Sequence, residues 1–231
     1  GIDVNDIECL IHAAVSRDFV EPATASVVHA GLGLPAHTQC FDISNACLGF
    51  LNAMIVLAGM IEAGQIRCGM VVAGENGRPL TEQTIQSLLD PALTRRDIKP
   101  HFASLTIGCG AAAAILTSQN ARGGIAALLG GVSACDTQSV HLCQGDGAQQ
   151  QGYQMSTDSE ELLRAGVRLA KNTWRQFRDG MGWTVDTPAL VVTHQVGVAH
   201  RRELYSALEL NPEKDHSSFE RCGNIGSVSL P

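Results

Sequence analysis

The sequence predicts an α/β fold built on a mostly parallel sheet. Three observations carry that expectation. Short apolar runs alternate with helix-patterned segments along the whole chain. The connections between successive strand-like runs are a dozen residues or longer, the length a parallel crossover needs. The runs IECLIHAAV and CGMVVAGE are apolar at most positions instead of strictly alternating, which marks strands covered on both faces.

Taken in order, residues 7–15 read as a buried strand and SRDFVEP as a loop. A short helix is expected over 24–32, with Thr24 in the cap region, followed by a strand at 38–43. SNAC then leads into a long apolar helix ending near residue 61, and 68–75 form the next buried strand. Helical character recurs at 81–89 before the Asp90-Pro91 turn. In HFASLTIGCGAAAAILTSQ the second half is expected to be a strand; alanine propensity favours helix, but GCG and the short length oppose it. Residues 123–136 begin another strand-like region, and the Gln/Gly-rich stretch 137–160 reads as a long loop. Residues 161–182 show the clearest amphipathic pattern, with Leu162, Leu163, Val167, Leu169, Ala170 and Trp174 on one face. PALVVTHQ reads as a strand and VGVAHRRELYSALEL as a helix closed by Asn211-Pro212. A boundary near QNARGG divides the chain into 1–122 and 123–231.

At 231 residues the chain can bury a substantial core. A net charge of −7 without a long basic tract argues against nucleic acid as partner. The opening GIDVNDIECL is acidic where a secretory n-region is basic, so no signal peptide is expected. The apolar helix carries Asn52 and is followed by Glu62 and Arg67, which marks a core helix, not a membrane span. The eight cysteines form no CxxC pair, and in a chain this size they are expected to be reduced, in a cytoplasmic protein, most of them as small buried hydrophobes. No HExxH or Cys/His cluster supports a metal, and Gly31 and Gly33 lack the helix context of a dinucleotide fingerprint.

Four residues are candidates for chemistry. Cys47 follows polar Ser44 and Asn45 at a strand-to-helix junction; it is either a small buried hydrophobe or a thiol at a helix N-terminus, where amide dipoles favour a nucleophilic thiolate. His194 ends an apolar run; it either satisfies a strand-end carbonyl or serves as an acid/base or oxyanion donor at the edge where α/β sheets bind ligands. Asn224, between two glycines, is either a turn residue or a fixed amide donating to an acyl oxygen. Glu21, before Pro22, is either a surface residue or a carboxylate reaching a site across an interface. His200, beside Arg201 and Arg202, reads as surface, and Asp42 as structural.

DISNACLGFLNAM, VVTHQ and GNIGSVSLP resemble, in type, order and spacing, the Cys, His and Asn motifs of the thiolase superfamily, specifically the initiating type of beta-ketoacyl-acyl carrier protein synthase. SRDFVEPATASVV further resembles the subgroup that condenses two fatty acyl-CoAs head to head at the start of bacterial long-chain olefin synthesis. The resemblance implies a thiolase-like fold of two similar βαβαβ-containing halves, layered α/β/α/β/α. It implies a non-decarboxylative Claisen condensation in a homodimer, with Cys47 acylated and Glu21 of the partner subunit removing the α-proton of the second fatty acyl-CoA. His194 and Asn224 would hold the enolate oxygen, with no cofactor and no metal. Leu48, Phe50, Leu51 and Met54 are expected near the acyl channels or in the core. Against family members the chain is expected to lack the first strands of one half and the last of the other, supplied by a further polypeptide if at all, and GCG stands where an acidic residue is common. A downstream olefin-pathway enzyme is a further expected partner; a decarboxylating synthase using malonyl-acyl carrier protein, acyl transfer to an alcohol or amine, and a truncated subunit that only supports a catalytic partner remain alternatives.

Overall fold

The computed structural model describes residues 1–17, 19, 21–118, 126–146, 154–194 and 196–231. The expected boundary at 122/123 lies outside the described residues. The chain forms two units, each assembled from separate stretches: residues 1–76, 109–128 and 225–231 in the first, and 77–108 and 129–224 in the second.

The first unit is a four-stranded sheet with helices. Strand β1 (Cys9–His12) is central and fully covered: Cys9, Leu10 and Ile11 are all 0% exposed. Helix α1 (Thr24–Leu32) follows, then β2 (Gln39–Asp42), helix α2 (Gly49–Glu62) and β3 (Cys68–Asn76). The strand order is β2-β1-β3-β4, with β4 at Cys109–Thr117. β1 pairs in parallel with both β2 and β3, whereas β3 and β4 run antiparallel. The alanine run is therefore a strand, as GCG suggested, because the long edge of β3 offers it nine paired positions from Cys68↔Thr117 to Asn76↔Cys109.

Strand alternation sorts the core into two clusters. Cys9, Ile11 and Ala13 face Phe50, Ala53 and Leu57 of α2, while Leu10 joins Ile7, Leu34 and Val72 on the other side. Positions 50, 53 and 57 recur at helical spacing, so one stripe of α2 is wholly buried. Gly69 makes this packing possible: a β-carbon there would stand 2.7 Å from Leu57 Cδ2. Helix α1 has no cap of its own, because its N-cap is Ala23 and Thr24 is already the first helical residue. The Asp42 carboxylate supplies the cap, accepting from Thr24 N at 2.9 Å and Ala25 N at 2.8 Å. Asp42 is structural, as expected.

In the second unit, helix α3 (Arg78–Leu88) and the short α4 (Arg95–Ile98) precede a 3₁₀ segment, Lys99–Thr106. The stretch expected as a loop over 137–160 instead holds an antiparallel hairpin, β5 (Cys143–Asp146) with β6 (Gln154–Thr157). Helix α5 (Ser159–Met181) begins where Asp158 accepts from Glu161 N and ends at Gly182 in the left-handed region. It packs on α6 (Val198–Leu208), and α7 (Phe219–Cys222) follows. Two strand expectations fail here. Residues 126–136 carry no regular structure, and among the described residues of PALVVTHQ only Val191 makes a β-bridge, to Asp215. Apolar β-branched residues become a strand only where a neighbouring edge can pair along their length, and Val191 has one bridging residue. Among the described residues no helix is long and apolar enough to cross a membrane.

Candidate active site

In the first unit β1, β2 and β3 are adjacent and parallel, so the segments leaving their C-terminal ends emerge at one edge of the sheet. That is the edge where open α/β sheets assemble sites. Glu21 lies on the segment after β1, Cys47 on the segment after β2, and Glu75 near the end of β3.

The chain turns sharply between β2 and α2. Asn45 leaves the extended region with ψ 51°, Ala46 takes φ 43°, and residues Ala46–Leu48 form one 3₁₀ turn running into α2 at Gly49. A non-glycine residue in the left-handed region is strained by roughly 1–3 kcal/mol and persists where surrounding structure demands it. Leu48 N donates to Asn45 O at 3.0 Å, and Asn45 Nδ2 reaches Asn52 Oδ1 at 2.5 Å, which fastens the turn to the helix. Cys47 is half-buried, two residues ahead of α2. Cys9 and Cys68, by contrast, are buried within the sheet. The expectation that the remaining cysteines are buried hydrophobes holds for these two alone in full; Cys109, Cys135, Cys143 and Cys222 are exposed. Of the channel candidates, Phe50 is 0% exposed and Met54 packs on the core, whereas Leu48 and Leu51 are exposed. Glu21 is exposed.

The second unit holds His194 and Asn224. Val191 pins the segment before His194: its N–H donates to Lys214 O at 2.8 Å and its carbonyl accepts from His216 N at 3.0 Å. Tyr205 stands behind it, with its hydroxyl 2.7 Å from Asp215 Oδ1 and 3.3 Å from Val191 O. Arg201 Nη1 lies 3.2 Å from carboxylate oxygens of both Asp215 and Glu220. Burial, then the neighbouring His200, pushes the His194 imidazole down to about 4, so the ring is neutral at ordinary pH. A neutral imidazole both donates and accepts, as acid/base work requires. Among the described residues, buried Nδ1 of His194 and Nδ1 of His200 find no hydrogen-bond partner. The surface expectation for His200 is thus corrected: it is half-buried and burial lowers its pKa, because its α6 position turns it inward from Arg202.

Asn224 follows Gly223 at φ 68°. Its N–H donates to Thr106 O at 2.8 Å and its carbonyl accepts from Gly108 N at 2.7 Å, a bridge opposite Ile107. A β-carbon on Gly223 would stand 2.5 Å from Thr106 O, so glycine is what allows this approach. Sequence reasoning missed Glu75 and the Tyr205–Asp215–Arg201 network. For Glu75 a signal existed: a carboxylate closing an apolar strand is seldom buried without a purpose. Among the described residues no group of three or more His, Cys, Asp or Glu side chains is placed to hold a metal ion.

Comparison with known proteins gives this arrangement a context. A family profile described as 3-oxoacyl-[acyl-carrier-protein] synthase III matches residues 41–131, the stretch containing Cys47. Over the whole chain the sequence is 41% identical to an acyl-CoA:acyl-CoA alkyltransferase of Shewanella oneidensis, covering 68% of that protein. It is 35% identical to one of Xanthomonas campestris, covering 67%. A crystal structure of a cysteine-to-serine variant of Xanthomonas campestris OleA with bound lauric acid and lauroyl-CoA superposes with a TM-score of 0.93 at 35% identity, over the whole of this chain and 67% of that one. A cerulenin-bound OleA structure matches at 0.91 and 34%, with 65% of that chain covered. The chain therefore spans about two thirds of these relatives. The match gives it the α/β thiolase-like fold with two βαβαβ-containing halves. At this level of identity and coverage, the chain belongs to the acyl-CoA:acyl-CoA alkyltransferase family of thiolase-like condensing enzymes.

Proposed function

We propose that the polypeptide carrying this chain joins two fatty acyl-CoA thioesters by non-decarboxylative Claisen condensation. The half spanning 1–122 supplies Cys47 and Glu21, and the half spanning 123–231 supplies His194 and Asn224. The Cys47 thiolate attacks the first thioester carbonyl, and CoA leaves as its thiolate. A carboxylate, Glu21 of the partner subunit, then takes an α-proton from the second acyl-CoA. The resulting carbanion attacks the acyl-Cys47 carbonyl, and collapse of the tetrahedral adduct returns the Cys47 thiolate. His194 and Asn224 hold the enolate oxygen of the second substrate. The product is a β-ketoacyl-CoA, and hydrolysis of its thioester gives a β-keto acid, the precursor olefin-forming enzymes would consume. No metal or further cofactor takes part. The assembly is a homodimer, and the eight free thiols suit the cytoplasm.

The observation that carries this reading is Cys47 on a strained turn entering α2, in a chain 41% identical to an acyl-CoA:acyl-CoA alkyltransferase. The synthase III profile over 41–131 favours a second reading, decarboxylative condensation with malonyl-acyl carrier protein. Glu21→Gln separates the two. Under the proposal it preserves acylation of Cys47 and lowers condensation by at least about 100-fold, the scale of general-base catalysis. Equal loss of both steps, or turnover only when a malonyl substrate is present, contradicts it.

A further inference from the structure

We propose that Glu75 is a positioning residue that holds the loop leading to Glu21 and the turn following Asn224 on one buried carboxylate, an inference that rests on the functional reading above. Glu75 is 7% exposed. Its Oε1 accepts from Val15 N at 2.8 Å and Ser227 N at 3.1 Å, and its Oε2 accepts from Ser16 N at 2.9 Å. The Ser227 hydroxyl lies 2.8 Å from Oε1 and 2.7 Å from Ala13 O, so it shares one proton between them. Ser16 is clamped again, its Oγ accepting from Asn76 N at 3.2 Å. Gly226 at φ 52° is the residue that admits the carboxylate, since a β-carbon there would stand 2.6 Å from Oε1.

These donors sit on two segments far apart in sequence, which the Glu75 carboxylate ties together. Val15 and Ser16 follow the end of β1 on the way to Glu21, and Ser227 comes three residues after Asn224. A buried carboxylate with both oxygens filled by backbone N–H groups is rigid, and removing one acceptor leaves a donor buried and unmet. The segments joined this way carry the groups that act in the second half-reaction, proton removal and enolate stabilisation. The Cys47 turn lies against the Ser227 turn but supplies none of these donors, so the carboxylate reaches it through packing alone. Glu75 therefore bears on condensation more than on acylation.

The test compares the natural polypeptide with Glu75→Gln and Ser227→Ala. Gln keeps Oε1 but turns an amide N–H toward Ser16 N. Expected is amide hydrogen exchange about tenfold faster in both segments, 13–21 and 223–229, with a smaller change in the Cys47 turn that packs on the second of them. Lauroyl-CoA is expected to acylate Cys47 at a rate within about threefold of the wild type, while condensation falls about 30-fold or more. Ser227→Ala, which keeps the backbone donor, shows a smaller loss in the same direction and carries the test if Glu75→Gln does not fold. Loosening of one segment alone, or equal loss of both steps, overturns the inference. Failure of the wild type to condense lauroyl-CoA contradicts the functional reading instead, and the exchange data then decide the junction separately.

Discussion

Tyr205→Phe tests how the His194 arm is held. The phenol is 3% exposed, so the deleted hydroxyl cannot be replaced by bulk water. Its short contact is to the Asp215 carboxylate at 2.7 Å; the Val191 carbonyl at 3.3 Å is secondary and still accepts from His216 N. A hydrogen bond to a charged group contributes about 1.5–3 kcal/mol. Asp215 keeps Arg201 at 3.2 Å, which satisfies part of its charge and places the loss toward the lower end, near 2 kcal/mol. Burial, then Asp215, raises the Tyr205 pKa, so the donor stays protonated throughout the working pH range. In a chain of this size the expected fall in Tm is about 4–8 °C. Urea unfolding gives the free energy, and hydrogen exchange across 190–194 shows whether the pinned segment has loosened. A loss below about 0.5 kcal/mol, or a full loss with that segment still protected, refutes the claim that Tyr205 pins Val191 through Asp215.

Three further outcomes follow from the same structure. Asp42→Ala removes both acceptors at the start of α1 and is expected to cost about 1–2 kcal/mol in urea unfolding, with fraying confined to 24–28. Gly69→Ala drives a β-carbon to within 2.7 Å of Leu57 Cδ2 and 3.2 Å of Ile66 Cδ1, and is expected to cost about 1–3 kcal/mol, relieved in part by Leu57→Ala. His194 is neutral in the native state down to about 4, against an ordinary value of 6.5. Between those values the unfolded chain binds a proton that the folded site refuses, so stability is intact above 6.5 and falls as pH drops toward 4. The fall attributable to His194 is at most about 3 kcal/mol, and His194→Asn is expected to flatten that part of the urea-midpoint profile.

Elements set by local pattern were legible in the sequence. The helix expected over 24–32 forms over Thr24–Leu32, and the buried strand at 68–75 becomes Cys68–Asn76. The alanine strand was legible because GCG broke the helical alternative before propensity could decide it. What stayed hidden depends on partners far along the chain. Glu75 takes its donors from residues 60, 59 and 152 positions away, and Asp42 caps a helix 18 positions upstream. PALVVTHQ has strand composition, but a strand is a property of two edges, and among its described residues only Val191 finds one. Cysteine exposure was misread for the same reason: Cys109 sits in an apolar run, yet it begins an edge strand and is exposed. The Cys47 turn was legible as a junction, whereas the positive φ that makes it sharp falls on Ala46, a residue type with no left-handed preference.

The most direct measurement loads the natural polypeptide with lauroyl-CoA, removes free substrate, and chases with a second acyl-CoA carrying an isotopic label, with no malonyl compound present. The expected result is a lauroyl adduct located on Cys47 by peptide mass, which disappears as a β-keto product appears containing one labelled and one unlabelled chain. An adduct on another residue, or one that persists until malonyl-acyl carrier protein is added, contradicts the account.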